Sequence, residues 1–310
     1  LLFTLVYFNI SLSARLREGS AIFATIVLAT DLTPAWNDIV ACGREFCALG
    51  ASRAILTHVL TPGHPSAPEA QAEAESYLKV QARQLETQGL TTILEIPSGP
   101  PGQSVNRVAQ KHDASLVVLG THGKSLWREG VLGSFSSAVL HQARYPILLL
   151  PVRISEERLT PRCLWKCPEL LRHVLFPTDF SEVAAAALVV LELLAPRGVA
   201  QVTLLHALEV HLGELLSPNL QVAPEAPEYN SLEILKSRLE TAGVPRVQTR
   251  VVAGHPYSVI LQTLRSLDIS LIVMGTQGRG LLAELFLGSV AHNISRVATC
   301  PILLIPWMKR

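Results

Sequence analysis

Gly120-Thr121-His122-Gly123, nine residues, then Gly133-Ser134 is a spacing suited to holding an anion, and the chain contains it twice. The second copy reads Gly275-Thr276-Gln277-Gly278, nine residues, Gly288-Ser289. Glycines let the main chain approach a ligand closely, and a helix that follows adds orphan N–H groups and partial positive charge. The chemistry on offer is a phosphate cradle made of backbone amides. Each copy follows a short apolar run (Ser115 to Leu119; Ser270 to Met274) that reads as a buried parallel strand. Each also leads into a helical stretch, Ser134 to about Ala143 and Ser289 to about Ala298. A lone G-x2-G carries little weight. Strand, glycine loop and helix met twice, with no glycine and neither serine lost, is specific.

Other polar residues recur with the loops. Asp31 and Asp179 each follow a first strand (Ile22 to Thr30; His173 to Pro177). They suit a ligand hydroxyl or a metal, and also suit capping of the helices that follow. Lys124 and Arg279 stand just after the second glycine of each loop, where a cation can neutralise phosphate or simply be solvated. His58 and His206 sit near the ends of second strands and read as packing residues whose backbone matters. His122 aligns with Gln277, so it is not a shared catalytic group. Leu126, Trp127, Leu281, Leu282 and Phe286 add apolar bulk in or beside the loops, as edge packing or as a lid.

The elements that must position these residues follow from duplication. Asp31 to Asp179 and His58 to His206 are offset by 148, whereas Gly120 to Gly275, Ser134 to Ser289 and Pro146 to Pro301 are offset by 155. The difference of seven residues places one insertion after the second strand. Each copy alternates five apolar runs with helical stretches, the last run being Pro146 to Pro151 or Pro301 to Pro306. That pattern predicts two α/β domains, each a doubly wound parallel sheet with right-handed crossovers and helices on both faces. Ligands in such sheets sit beyond the carboxyl ends of the strands, where the strand order reverses. If strands one and four flank that point, each aspartate faces its own glycine loop. The expected divisions are a leader at 1–20, a first domain at 21–152, a linker at 153–170 and a second domain at 171–306. The leader is apolar from Leu1 to Ile10, too short for a bilayer span, and reads as disordered or non-native.

Composition excludes some classes. At 310 residues and a formal net charge of +1, with no basic run, nucleic-acid binding through a charged stripe is disfavoured. No segment has the length and purity of a membrane span. Five cysteines without framework spacing read as reduced thiols in a cytoplasmic protein. Cys163 and Cys167 lack the second pair that a zinc site needs.

Two features together resemble the universal stress protein family in its tandem form. One is the stretch Ile26-Val27-Leu28-Ala29-Thr30-Asp31, matched by Val174-Leu175-Phe176-Pro177-Thr178-Asp179-Phe180-Ser181. The other is the glycine loop ahead of a Pro-Ile-Leu-Leu final strand. The likeness covers about residues 21–152 and 171–306. It implies five parallel strands in the order 3-2-1-4-5, and nucleotide-binding members that hold ATP with this loop. It also implies that two such domains pair through their fifth strands, within one chain or in a homodimer. Carried over, Asp31 and Asp179 meet ribose or a metal such as Mg²⁺, and the main chain at Val59 and Ala207 borders adenine. Gly120, Gly123, Gly133 and Ser134 cradle phosphate in the first half, and Gly275, Gly278, Gly288 and Ser289 do so in the second.

The resulting expectation is a stress-response regulator that binds adenine nucleotide in each half, with slow or no turnover. Neither loop supplies a general base, and the pattern G-x4-G-K-[ST] is absent. The alternative is a Mg²⁺-dependent ATP hydrolase or nucleotidyl transferase using the same cradle. A flavoprotein-like electron carrier is a third reading that no residue demands.

Overall fold

The computed structural model describes residues 21–60, 67–121, 132–155, 160–165, 167, 169–209, 227–278 and 287–306. The leader, His122, Gly123, Lys124, Arg279 and the apolar residues 126, 127, 281, 282 and 286 lie outside this set. The chain divides before Glu169 into two compact units.

In the first unit β1 (Thr25–Ala29), β2 (Arg53–Thr57), β3 (Thr91–Glu95), β4 (Leu116–Gly120) and β5 (Ile147–Leu150) form a parallel array in the order β3-β2-β1-β4-β5. The central strands β1 and β4 are buried at every residue, as their unbroken apolar runs require when both sheet faces are covered. The connections carry α1 (Pro34–Ala41), α2 (Gly43–Ala48), α3 (Ala67–Glu86), α4 (Pro101–Lys111) and α5 (Ser134–His141). Pro34 and Pro101 open α1 and α4, where a missing N–H costs nothing.

The sequence predicts one helix over about 35–50, but the structure breaks it at Cys42 into α1 and α2. Gln88 fills the break. Its Nε2 donates to the Val40 carbonyl at 2.8 Å, and its Oε1 accepts from the Arg44 N–H at 3.2 Å. A Cβ on Gly43 would stand 3.0 Å from Leu85 and 3.1 Å from Gln88, so the glycine admits this contact.

The stretch expected to be a plain linker is structured. β6 (Val152–Ser155) and β7 (Thr160–Cys163) form an antiparallel hairpin packed against α1. Arg162 grips Asp38 of α1 through Nε and Nη2 at 2.7 and 2.8 Å, and the Cys163 N–H donates to the same carboxylate at 3.2 Å. Trp165 is buried with its ring centroid 6.1 Å from that of Phe46. Cys42 and Cys167 form a disulfide with Cα atoms 5.8 Å apart, which corrects the expectation that all five thiols are free. Two four-residue strands, one containing Pro161, are too short to show a period. Cys47, Cys163 and Cys300 remain thiols; burial pushes Cys163 up to about 11 and Cys300 up to about 12.

The second unit repeats the plan. β8 (Val174–Pro177), β9 (Val202–Leu208), β10 (Val247–Ala253), β11 (Leu271–Gly275) and β12 (Ile302–Ile305) run in the order β10-β9-β8-β11-β12, all parallel. Its helices are α6 (Glu182–Leu194), α7 (Pro227–Thr241), α8 (Pro256–Ser266) and α9 (Ser289–Val297). In each unit the order reverses between the first and fourth strands, as the sequence predicts. Among the described residues, no helix is long and apolar enough to cross a membrane.

Candidate functional site

The chain leaves β1 and β8 through the same four-residue turn, Thr30-Asp31-Leu32-Thr33 and Thr178-Asp179-Phe180-Ser181. Leu32 and Phe180 take positive φ, 62° and 59°, which a side chain rarely tolerates. Local hydrogen bonds hold them there. The threonine hydroxyl at the turn's start accepts from the N–H of residue 32 or 180, 3.0 Å in each unit. The aspartate Oδ1 accepts from the N–H of Thr33 or Ser181, also 3.0 Å in each. Both carboxylates therefore cap the turn, and the helix N-caps fall to Thr33 and Ser181. Ser181 bonds the Ala184 N–H, whereas the Thr33 hydroxyl donates to Asp31 at 2.8 Å and caps nothing.

Across the switch point stands the glycine loop. In the second unit a Cβ on Gly278 would lie 2.6 Å from Asp179 Oδ2. One on Gly275 would lie 2.7 Å from Val183 of α6, so that glycine lets the end of β11 pass beneath the helix. The loop closes with the Gly288 N–H donating to the Thr276 carbonyl at 2.6 Å; Gly133 and Thr121 repeat this at 2.8 Å. Gly133 and Gly288 are the N-caps of α5 and α9, and Ser134 and Ser289 are the first helical residues, exposed and without capping bonds. Both helix starts therefore keep amide donors for an outside acceptor.

Asp179, Ala207, Gly275, Gly278, Gly288 and Ser289 line one cavity of about 770 Å³. That volume suits a small-molecule ligand. Leu205, Met274, Ile260 and Pro256 give it an apolar wall. Glu209 and Glu228 line it too, and among the described lining residues there is no Lys or Arg. Sequence reasoning misses these two glutamates: Glu209 follows the end of β9 and Glu228 stands in the first turn of α7, both outside the repeated motifs. The Thr30 and Thr178 hydroxyls are also missed, although their place before a repeated aspartate is a usable signal.

In the first unit Asp31, Val59, Gly120, Gly133 and Ser134 occupy matching places at the strand and helix ends. Asp31 Oδ2 is buried and accepts no hydrogen bond among the described residues. A buried carboxylate oxygen without a donor is costly. It fits a ligand hydroxyl or a divalent cation. The Gly120 carbonyl, by contrast, is taken by the Ser136 hydroxyl.

Two tandem parallel arrays in the order 3-2-1-4-5, each left through an aspartate turn, with a glycine loop set against that turn in the second unit, define the class. Residues 23–151 and again 171–306 match the model of the universal stress protein family, and the chain belongs to that family. A universal stress protein of Methanocaldococcus jannaschii is 28% identical over 155 residues, 44% of this chain and 95% of the relative. One from Thermus aquaticus is 30% identical over 136 residues, again 44% of this chain and 99% of the relative. One from Mycobacterium bovis is 28% identical over 194 residues, 62% of each chain. Among solved structures, a universal stress protein from Archaeoglobus fulgidus matches 91% of this chain and 98% of its own length, with a TM-score of 0.71 at 20% identity, a likeness of fold.

Proposed function

We propose that this chain is a regulatory protein of the stress response that binds ATP or another adenine nucleotide in each half, with slow or no turnover. The apposition of Asp179 and Gly278 within one cavity carries the reading: a carboxylate for ribose hydroxyls or metal meets a run of main-chain donors for phosphate. Asp179 and Asp31 hold the sugar or Mg²⁺, and the main chain at Ala207 and Val59 borders the base. Gly275, Gly278, Gly288 and Ser289 receive phosphate oxygens in the second half, and Gly120, Gly123, Gly133 and Ser134 in the first. Lys124 and Arg279, next in sequence to the second glycine of each loop, add charge. A cytoplasmic location goes with this reading on the strength of the nucleotide and not of the thiols, two of which form the Cys42–Cys167 disulfide.

The carboxylates at the second cavity bear on the metal. Asp179, Glu209 and Glu228 would repel a bare triphosphate, so Mg²⁺ is part of the ligand. Bound there, it supplies charge neutralisation. Titration calorimetry with ATP, with and without Mg²⁺, tests the reading; binding of neither ATP nor adenosine would refute it. The orphan Asp31 Oδ2 also favours a second reading, Mg²⁺-dependent phosphoryl transfer at the first site. Sustained phosphate release with Mg²⁺, lost in Asp31→Asn, would move the assignment there.

A further inference from the structure

Both aspartate turns are fastened by the same side chain. His58 Nδ1 lies 2.8 Å from the Thr30 carbonyl, and His206 Nδ1 lies 2.8 Å from the Thr178 carbonyl. A carbonyl only accepts, so Nδ1 carries the proton in each ring. The need arises where the chain leaves the sheet. The Thr30 and Thr178 N–H groups still complete the ladder, to Thr57 and Leu205 at 2.8 Å each. The carbonyls turn away with the strained residue that follows and find the imidazole. The main chain that carries the rings is itself held: the His58 main-chain N–H donates to the Glu95 carbonyl at 3.1 Å, and His206 belongs to β9 in register with Val251 of β10. His206 is buried, and Phe180, the positive-φ residue, tilts over it with centroids 4.7 Å apart.

We propose that His58 and His206 are positioning residues of the two nucleotide sites, each pinning through Nδ1–H the carbonyl immediately before the ligand-facing aspartate. The pin opposes relaxation of the φ of 62° or 59° one residue beyond that aspartate. Without it the turn rotates and the carboxylate leaves the glycine loop. This rests on the nucleotide reading of the site, but the pin itself is observable without nucleotide.

The chemistry gives a sharp test. An asparagine amide nitrogen is as many bonds from Cβ as Nδ1 is, whereas glutamine reaches one bond further. His206→Asn therefore keeps the bond and His206→Gln does not. With the first site left intact as an internal reference, His206→Asn should bind Mg²⁺-ATP at the second site within about threefold of the unsubstituted chain, and His206→Gln about tenfold or more weaker. Thermal midpoints of both variants separate positioning from general destabilisation. In parallel, nitrogen NMR of the unsubstituted chain should show His206 protonated at Nδ1 near neutral pH. The Phe180 and Ser181 amide resonances should keep their positions in His206→Asn and move in His206→Gln. An unprotonated Nδ1, or asparagine and glutamine variants with equal affinity and equal turn resonances, would overturn the proposal. If the unsubstituted chain binds no nucleotide, the ligand assignment falls, and the ring tautomer and turn resonances decide the pin alone.

Discussion

Asp179 Oδ2 occupies the space that a Cβ on Gly278 would need: the two would be 2.6 Å apart. Gly278 does not have a positive φ, so the demand is for room and not for backbone freedom. A methyl group at 278 must push the carboxylate aside or move the loop. Gly278→Ala should weaken nucleotide binding at the second site by about tenfold or more, equivalent to ~1.4 kcal/mol, and Gly278→Val should abolish it. Calorimetry checks this, with circular dichroism showing that the fold is retained.

The two aspartates should act independently, since each belongs to its own unit. Asp31→Ala and Asp179→Ala made separately should each remove one of two binding events and leave the other's affinity unchanged. Stoichiometry from calorimetry reads the result directly. Asp31→Ala should also lower the first unit's stability by about 1 kcal/mol or more, because it deletes the Oδ1 that accepts from the Thr33 N–H and hydroxyl.

Much of this arrangement is legible in the sequence, because glycine spacing and unbroken apolar strands report local needs of the chain. The Asp179–Gly278 meeting follows from strand order once strands one and four are neighbours. What is not legible depends on remote side chains. The Cys42 break between α1 and α2 needs Gln88, which reaches back to Val40 and Arg44 from the far end of α3. The hairpin after β5 is fixed by Asp38, Phe46 and Cys42, all far back in the chain. The histidines look like packing residues until each is seen to hold the carbonyl of Thr30 or Thr178, which accepts from no other group among the described residues.

The disulfide gives a stability prediction confined to the first unit. Cys42 and Cys167 are 125 residues apart in sequence, so the cross-link restricts a long loop in the unfolded chain. Reduction, or Cys167→Ser, should lower the first unit's unfolding free energy by ~2–4 kcal/mol and leave the second unit's transition in place. Denaturant unfolding with and without reductant, followed by two probes, separates the units. Protease should then cut the hairpin sooner in the reduced chain.

His173 makes the second unit sensitive to acid. Its ring is buried against the Thr203 hydroxyl, with Nε2 at 2.9 Å from Oγ1. Burial, and then the neighbouring Arg172 cation, hold its pKa below the ordinary histidine value. The unfolded chain therefore takes up this proton more readily than the folded one. The contribution is complete above the unfolded pKa of ~6.5 and is lost as pH falls through that value towards the folded one. The second unit's denaturation midpoint should drop between about pH 7.5 and about pH 5.5, and His173→Gln should flatten that slope.

Native mass spectrometry of the full chain with Mg²⁺ and ATP tests the central claim most directly. Two adenine nucleotides per chain, falling to one in Gly278→Val, is the predicted result. A chain that carries no nucleotide, or whose bound nucleotide is indifferent to Gly278→Val, would contradict it.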